Sequence, residues 1–177
     1  MKKTVLVVDD DEAVRDSMKK VLECAGFDVL LAGDGQEAVK HARPGQVDLL
    51  MLDIGLPIRN GWDAFAQITA ANPCLPIIII TGHSDQYPVA AAAGASAFME
   101  KPLDASQLLA TIQEVLDEPK EERLRRLTGR TGKPRYVAAD AGRLFEKLRA
   151  RWSAPVPWEL RASCRTPQAK SKSSKFH

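Results

Sequence analysis

Short apolar runs alternate along the first two thirds of the chain with segments whose apolar positions recur every three or four residues. Thr4–Val8 is apolar and β-branched, predicts a strand, and ends in Asp9-Asp10-Asp11. Ala13–Ala25 carries Val14, Met18, Val21, Leu22 and Ala25 at helical spacing, and Gly26 closes it. Asp28–Ala32 predicts a second strand, and Gln36–Ala42 a small helix stopped by Pro44-Gly45. The run Val47–Leu52, apolar but for Asp48, predicts a third strand, with Pro57 and Gly61 punctuating a loop before the helix Trp62–Ala71. Ile77–Ile80 predicts a fourth strand ending in Thr81-Gly82, and a weak helix over Tyr87–Ala93 leads to Gly94. Ala97–Met99 is the fifth strand, followed by Lys101-Pro102 and the helix Ala105–Leu116. Strands apolar on both sides and separated by helices predict an α/β fold. It is a doubly wound five-stranded parallel sheet with helices on both faces.

Charge divides the chain in a way its net of +2 conceals. Residues 1–118 hold 9 Lys and Arg against 18 Asp and Glu, a net of −9, whereas residues 119–177 carry a net of +11. Pro119 marks the change and disfavours continuing the preceding helix. Two regions are therefore expected, a domain over residues 1–118 and a basic extension over 119–177. In the extension, Lys120–Leu127 predicts a short basic helix and Thr128–Pro134 a linker. Val137, Ala141, Leu144, Phe145, Leu148 and Trp152 predict a helix near 137–152, and the Lys- and Ser-rich end is expected to be disordered. A partly helical extension of this size falls short of the three-helix core of a helix-turn-helix domain.

The three cysteines, Cys24, Cys74 and Cys164, have no CxxC spacing, which argues against a zinc site or disulfide framework. Cys24 is expected to be a buried small hydrophobe. The longest strongly apolar run, Ile77–Ile80, is far below the ~20 residues of a membrane-crossing helix. The apolar stretch after the basic N-terminus collapses into three aspartates, unlike a secretory signal, so a cytoplasmic location is expected.

The polar residues that end the strands carry the candidate chemistry. Asp9 and Asp10 end the first strand, Asp53 the third, Thr81 the fourth, and Lys101 follows the fifth. In an open parallel sheet these ends share one edge, where such folds bind ligands. Three carboxylates crowded there resist joint ionisation unless a cation neutralises them. A hard divalent ion with oxygen ligands, chiefly Mg²⁺, is the natural occupant, because it keeps waters that a phosphate can replace. Lys101 and Thr81 then offer a cation and a donor to a phosphoryl oxygen. Asp11 and Asp104 read instead as helix caps.

This pattern resembles the receiver domain of two-component response regulators. The resemblance rests on Val7-Val8-Asp9-Asp10-Asp11, Asp53-Ile54-Gly55-Leu56-Pro57 with Gly61, Ile80-Thr81-Gly82, Gly94-Ala95, and Phe98-Met99-Glu100-Lys101-Pro102. It implies a flavodoxin-like receiver fold in which Asp53 is the phosphoacceptor, receiving phosphate from a phosphohistidine on a sensor histidine kinase or phosphotransfer protein. It further implies Mg²⁺ ligation by Asp10, Asp53 and the Gly55 carbonyl, with Asp9 acting through a water. By the same comparison Thr81 and Lys101 contact the phosphoryl group, Phe98 and Thr81 form the switch, and Lys101-Pro102 is a cis peptide. Gly55 and His83 fall where similar proteins tune the access of water to the phosphate.

Two functions stay open at this level. The first is a non-enzymatic signalling module whose phosphorylation switches protein contacts on the face of the fourth helix, fifth strand and last helix, with room for a phosphorylation-dependent homodimer. The second is a DNA-binding transcriptional regulator that uses the basic extension. A solvated or protein-docking role for the extension is favoured over nucleic acid, and membrane binding comes last.

Overall fold

A strand that is apolar on both faces needs cover on both sides, and this chain supplies it by winding helices over both faces of the sheet. In a computed structural model, residues 2–56, 61–128 and 134–139 are described. Strands β1 (Thr4–Val8), β2 (Asp28–Ala32), β3 (Leu49–Asp53), β4 (Ile77–Thr81) and β5 (Ala97–Glu100) alternate with helices. These are α1 (Glu12–Cys24), α2 (Gly35–His41), α3 (Gly61–Ala71), α4 (Tyr87–Ala93) and α5 (Ala105–Asp117). These five strands pair in parallel, in the order β2-β1-β3-β4-β5.

Two cores result. Leu6, Leu50, Leu52, Ile79 and Phe98 point to one face, where Ala38 of α2, Phe65 and Ile68 of α3 and Ala90 of α4 cover them. Val5, Val7, Met51, Ile78, Ile80 and Met99 point to the other, beneath Met18 and Leu22 of α1 and Leu108, Ile112 and Val115 of α5. Fully burying each of the larger of these side chains, Val, Leu, Ile, Phe or Met, contributes about 1.5–3 kcal/mol. The capping readings hold: Asp11 accepts from the amides of Ala13 and Val14, and Asp104 from those of Ser106 and Gln107. Gly94 ends α4 in the left-handed region at φ 81°, where a side chain would be strained.

The sheet has six strands rather than five. The sixth, β6 (Arg135–Val137), comes from the extension and pairs with β5 in the register Ala97↔Arg135, Phe98↔Tyr136, Met99↔Val137. The helix expected near 137–152 is corrected at its start, because Val137 lies in this strand. Residues 140–152 and the expected disordered tail lie outside the described residues. The physical reason is tertiary: β5 would otherwise leave an open edge, and Tyr-Val suits a pleated surface better than a helix start.

Helix α6 (Lys120–Leu127) forms as predicted, and two buried arginines anchor it to the preceding domain. Arg123 is buried, donating to the carbonyl of Cys74 at 2.5 Å and of Val115 at 3.0 Å. Arg126, also buried, pairs with Glu118. Leu127 rests on Gly94, where an added Cβ would come within 2.8 Å of Leu127 Cδ2. Cys24, expected to be buried, is exposed at the end of α1. Among the described residues no helix is long and apolar enough to cross a membrane.

Candidate functional site

The carboxyl ends of β1, β3 and β5 bring Asp9, Asp10, Asp53 and Lys101 into one crevice. Asp9 and Asp53 are buried, at 1% and 7% exposure, because each closes an apolar strand that is itself enclosed. Asp10 lies on the exposed side of the same turn. One oxygen from each of the three acids lies within 4.8 Å of the others. Lys101 Nζ bridges two of them, donating to Asp9 Oδ2 at 2.7 Å and to Asp53 Oδ2 at 2.5 Å. Burial draws the Lys101 ammonium down, but the hydrogen bonds it donates to Asp53 and Asp9 outweigh it and hold its pKa above the usual lysine value.

Backbone amides fix the remaining carboxylate oxygens. Gly55 N–H donates to Asp53 Oδ1 at 2.7 Å, and Asp11 N–H donates to Asp9 Oδ1 at 3.0 Å. Arg15 Nη1 donates to the carbonyls of Asp9 and Asp10 at 2.7 and 3.0 Å, stiffening the turn that carries both acids. Sequence reasoning passed over Arg15, whose signal was only its place one turn into α1.

Thr81 is buried at the end of β4, and its hydroxyl accepts from His83 N–H at 3.1 Å while keeping its own proton to donate. The Lys101 amide donates to the Thr81 carbonyl at 2.8 Å, so the two residues share one strand junction. The Lys101-Pro102 bond is cis. His83 is exposed. Phe98 faces away from the crevice into an aromatic cluster with Tyr87 of α4 and Tyr136 of β6. Neither tyrosine carried a local signal for this contact, since its partners are distant in the chain.

The donor set suits a small hard cation. Octahedral Mg²⁺–oxygen distances of about 2.1 Å put opposite ligands about 4.2 Å apart. The three aspartate oxygens lie close enough together to share one such cation, directly or through its waters. Beside the crevice, Ala13, Val14, Met18, Pro102, Leu103 and Leu108 line an apolar groove of about 410 Å³ that reaches Lys101.

Comparison with known proteins gives a consistent result. A family model described as the response regulator receiver domain matches residues 5–113. The alkaline phosphatase synthesis transcriptional regulatory protein PhoP of Bacillus subtilis is 32% identical over 118 residues, covering 66% of this chain and 49% of that protein. Response regulator MprA of Mycobacterium tuberculosis (strain H37Ra) is 35% identical over 120 residues, covering 67% of this chain and 52% of its own length. The chain thus spans about half the length of the curated relatives it matches. Among solved structures, a receiver domain protein from Methanospirillum hungatei aligns with a TM-score of 0.64 at 32% identity, covering 69% of this chain and 98% of its own. TrrA from Thermotoga maritima, solved in complex with Mg²⁺ and BeF, aligns with a TM-score of 0.60 at 27% identity, over 64% of this chain and 98% of its own.

Proposed function

The chain belongs to the response regulator receiver family, and from that premise we propose that it is a signalling switch phosphorylated on Asp53. The donor is a phosphohistidine on a sensor histidine kinase or phosphotransfer protein, and the output is a change in protein contacts. The observation that carries this reading is the Lys101 ammonium held between Asp53 and Asp9, inside a cluster of three carboxylates.

In the transfer, an Asp53 carboxylate oxygen attacks phosphorus in line. The P–O bond forms as the P–N bond of the donor breaks, and the electron pair leaves with the imidazole nitrogen, which takes up a proton. Two anions must meet for this, and the field between them is the main obstacle. Lys101 answers it by transferring a hydrogen bond from Asp53 to a phosphoryl oxygen. The Thr81 hydroxyl supplies a second donor by turning away from His83. Mg²⁺, when bound by Asp10, Asp53 and the Gly55 carbonyl, with Asp9 acting through a water, supplies further neutralisation of the charge that develops on the phosphoryl oxygens. The apolar groove beside Lys101 gives a donor helix a dry surface to rest on. Gly55 presents no side chain to water, and exposed His83 is placed to orient one, so both tune the lifetime of the acyl phosphate. In this reading the protein transduces a signal and turns over no separate substrate, in a cytoplasmic setting.

The test is incubation with Mg²⁺ and acetyl phosphate, followed by intact mass. One phosphoryl addition that fails to form when a chelator is present from the start is expected, and no addition under saturating donor would end the proposal. The metal ligands can be separated in the same way. Asp10→Ala is expected to weaken Mg²⁺ binding at least tenfold by calorimetric titration, as loss of one of few charged ligands does. Asp11→Ala is expected to leave it within about twofold, because Asp11 is engaged in capping α1. Equal losses in the two variants would remove Asp10 from the ligand set.

The net +11 of residues 119–177 supports a second reading, a phosphorylation-controlled DNA-binding regulator. The relative PhoP carries the description of a transcriptional regulatory protein. A salt-dependent mobility shift by the full chain on random duplex DNA would favour this reading. Absence of any shift at low salt would remove it.

A further inference from the structure

The segment 134–139 lies across the face formed by α4, β5 and α5, the face expected to change with phosphorylation. Its backbone continues the sheet, with Arg135 N–H donating to the Ser96 carbonyl at 3.3 Å. Its side chains grip all three elements. Tyr136 stacks on Phe98 of β5, with ring centroids 5.7 Å apart and planes 14° apart, and meets Tyr87 of α4 edge-on at 4.9 Å. The Tyr87 hydroxyl donates to the Pro134 carbonyl at 3.3 Å. On the other side of the sheet, Val137 packs on the core and Arg135 forms an ion pair with Glu114 of α5.

The last residue of β5 and the one after it hold this segment and the phosphoacceptor respectively. Glu100 accepts from the Tyr136 hydroxyl and, at 3.3 Å, from Ala139 N–H. The Glu100 carboxylate holds the Tyr136 phenol above its ordinary pKa, keeping it a donor. The next residue, Lys101, holds Asp53. Glu100 is also the register partner of Thr81.

We infer that residues 134–139 are a tethered, displaceable occupant of the receiver's α4–β5–α5 face, and that phosphorylation of Asp53 and release of this segment are linked equilibria. The inference rests on the phosphoacceptor reading above and names the partner of its output face as the chain's own β6. Displaceability follows from size: β6 is a three-residue edge strand, and Tyr136 is 44% exposed. Such a strand owes its occupancy to tethering, which makes docking intramolecular. Release follows from geometry. When Thr81 turns toward a phosphoryl group, Phe98 can follow into the vacated space, leaving Tyr136 without the ring beneath it. A shift of Lys101 toward the phosphoryl group likewise pulls on Glu100, the other grip. Because linkage is reciprocal, loosening β6 must favour the phosphorylated form by the same factor.

The test uses the full chain and beryllofluoride with Mg²⁺ as the phosphoryl mimic, read by hydrogen exchange over 135–139 and by calorimetric affinity. Saturating beryllofluoride is expected to speed exchange over 135–139. Tyr136→Ala is expected to tighten beryllofluoride binding about three- to tenfold, the scale of a lost aromatic contact. Arg135→Gln, which removes the charge paired with Glu114, is expected to act in the same direction more weakly. Beryllofluoride binding with unchanged exchange and equal affinities would overturn the linkage and leave the phosphoacceptor reading standing. Slower exchange on binding, with weaker affinity in Tyr136→Ala, would overturn release by showing that the segment closes instead. Failure of the wild-type chain to bind beryllofluoride would overturn the phosphoacceptor reading, and the linkage with it.

Discussion

Asp53→Asn is expected to lose all measurable phosphoryl uptake from acetyl phosphate, at least about a hundredfold, because an amide cannot act as the nucleophile. Asp53 is not the only buried acid beside Lys101. Asp9 is more deeply enclosed and accepts from the same ammonium at 2.7 Å. Each gives one oxygen to Lys101 and the other to a backbone amide, so what separates them is their surroundings. Asp9 is backed by the amide of Asp11 and lies below a turn tied down by Arg15. Asp53 ends the central strand β3, next to Gly55, whose lack of a side chain leaves an approach to its carboxylate; a Cβ there would come within 3.1 Å of Asp53 Oδ1. Asparagine would also present an NH₂ group toward either Lys101 Nζ or Gly55 N–H, both of which are donors. Intact mass after incubation with acetyl phosphate and Mg²⁺ measures the outcome. If the added mass persists in Asp53→Asn and vanishes in Asp9→Asn, the nucleophile is Asp9.

The parts of this fold that could be read from sequence share a local cause. Runs such as Thr4–Val8 and Ile77–Ile80 are apolar on both faces, which only a covered parallel sheet accommodates, and each stops at a polar residue. Those stops, Asp9, Asp53, Thr81 and Lys101, mark strand ends, so the winding of the sheet brings them to one edge. Smaller departures have local reasons too. Strand β3 starts at Leu49 rather than Val47 because Asp48 is engaged by Lys3 Nζ at 2.8 Å and by Thr4 N–H at 2.9 Å. The extension was less legible because its order comes from distant partners. Arg-Tyr-Val reads locally as a linker running into helical spacing, and only the open edge of β5 makes it a strand. A basic helix such as α6 reads as solvated, whereas the carbonyls of Cys74 and Val115 and the carboxylate of Glu118 give Arg123 and Arg126 reasons to be buried. The aromatic cluster on Phe98 was hidden for the same reason, since Tyr87 and Tyr136 meet it only through the fold.

Gly61→Ala is expected to destabilise the protein by about 2 kcal/mol and to disturb Asp53 at the same time. Gly61 is the buried first residue of α3, lying against the chain that leaves β3. A Cβ there would come 2.5 Å from Ile54 Cα and 2.8 Å from the Asp53 carbonyl oxygen. Both neighbours are backbone, so no rotamer change relieves the contact; either α3 or the Asp53–Ile54 segment must move. Overpacking of this kind costs about 1–3 kcal/mol, and a contact this short belongs at the upper end. Alanine recovers part of that, about 0.5–1 kcal/mol, through its better helix propensity and its stiffer unfolded chain. The remainder corresponds to a fall in Tm of roughly 5–10 °C for a domain of this size. Because the displaced carbonyl belongs to Asp53, phosphoryl uptake should fall along with stability, even well below the new Tm. Gly55→Ala is the contrasting case: its Cβ would meet only a carboxylate oxygen, at 3.1 Å, and a side chain can yield. That variant is expected to melt within about 2 °C of wild type. Calorimetric melting of both proteins decides the matter. An unchanged Tm in Gly61→Ala would mean that α3 has room to retreat and that its close seat on Asp53 is incidental.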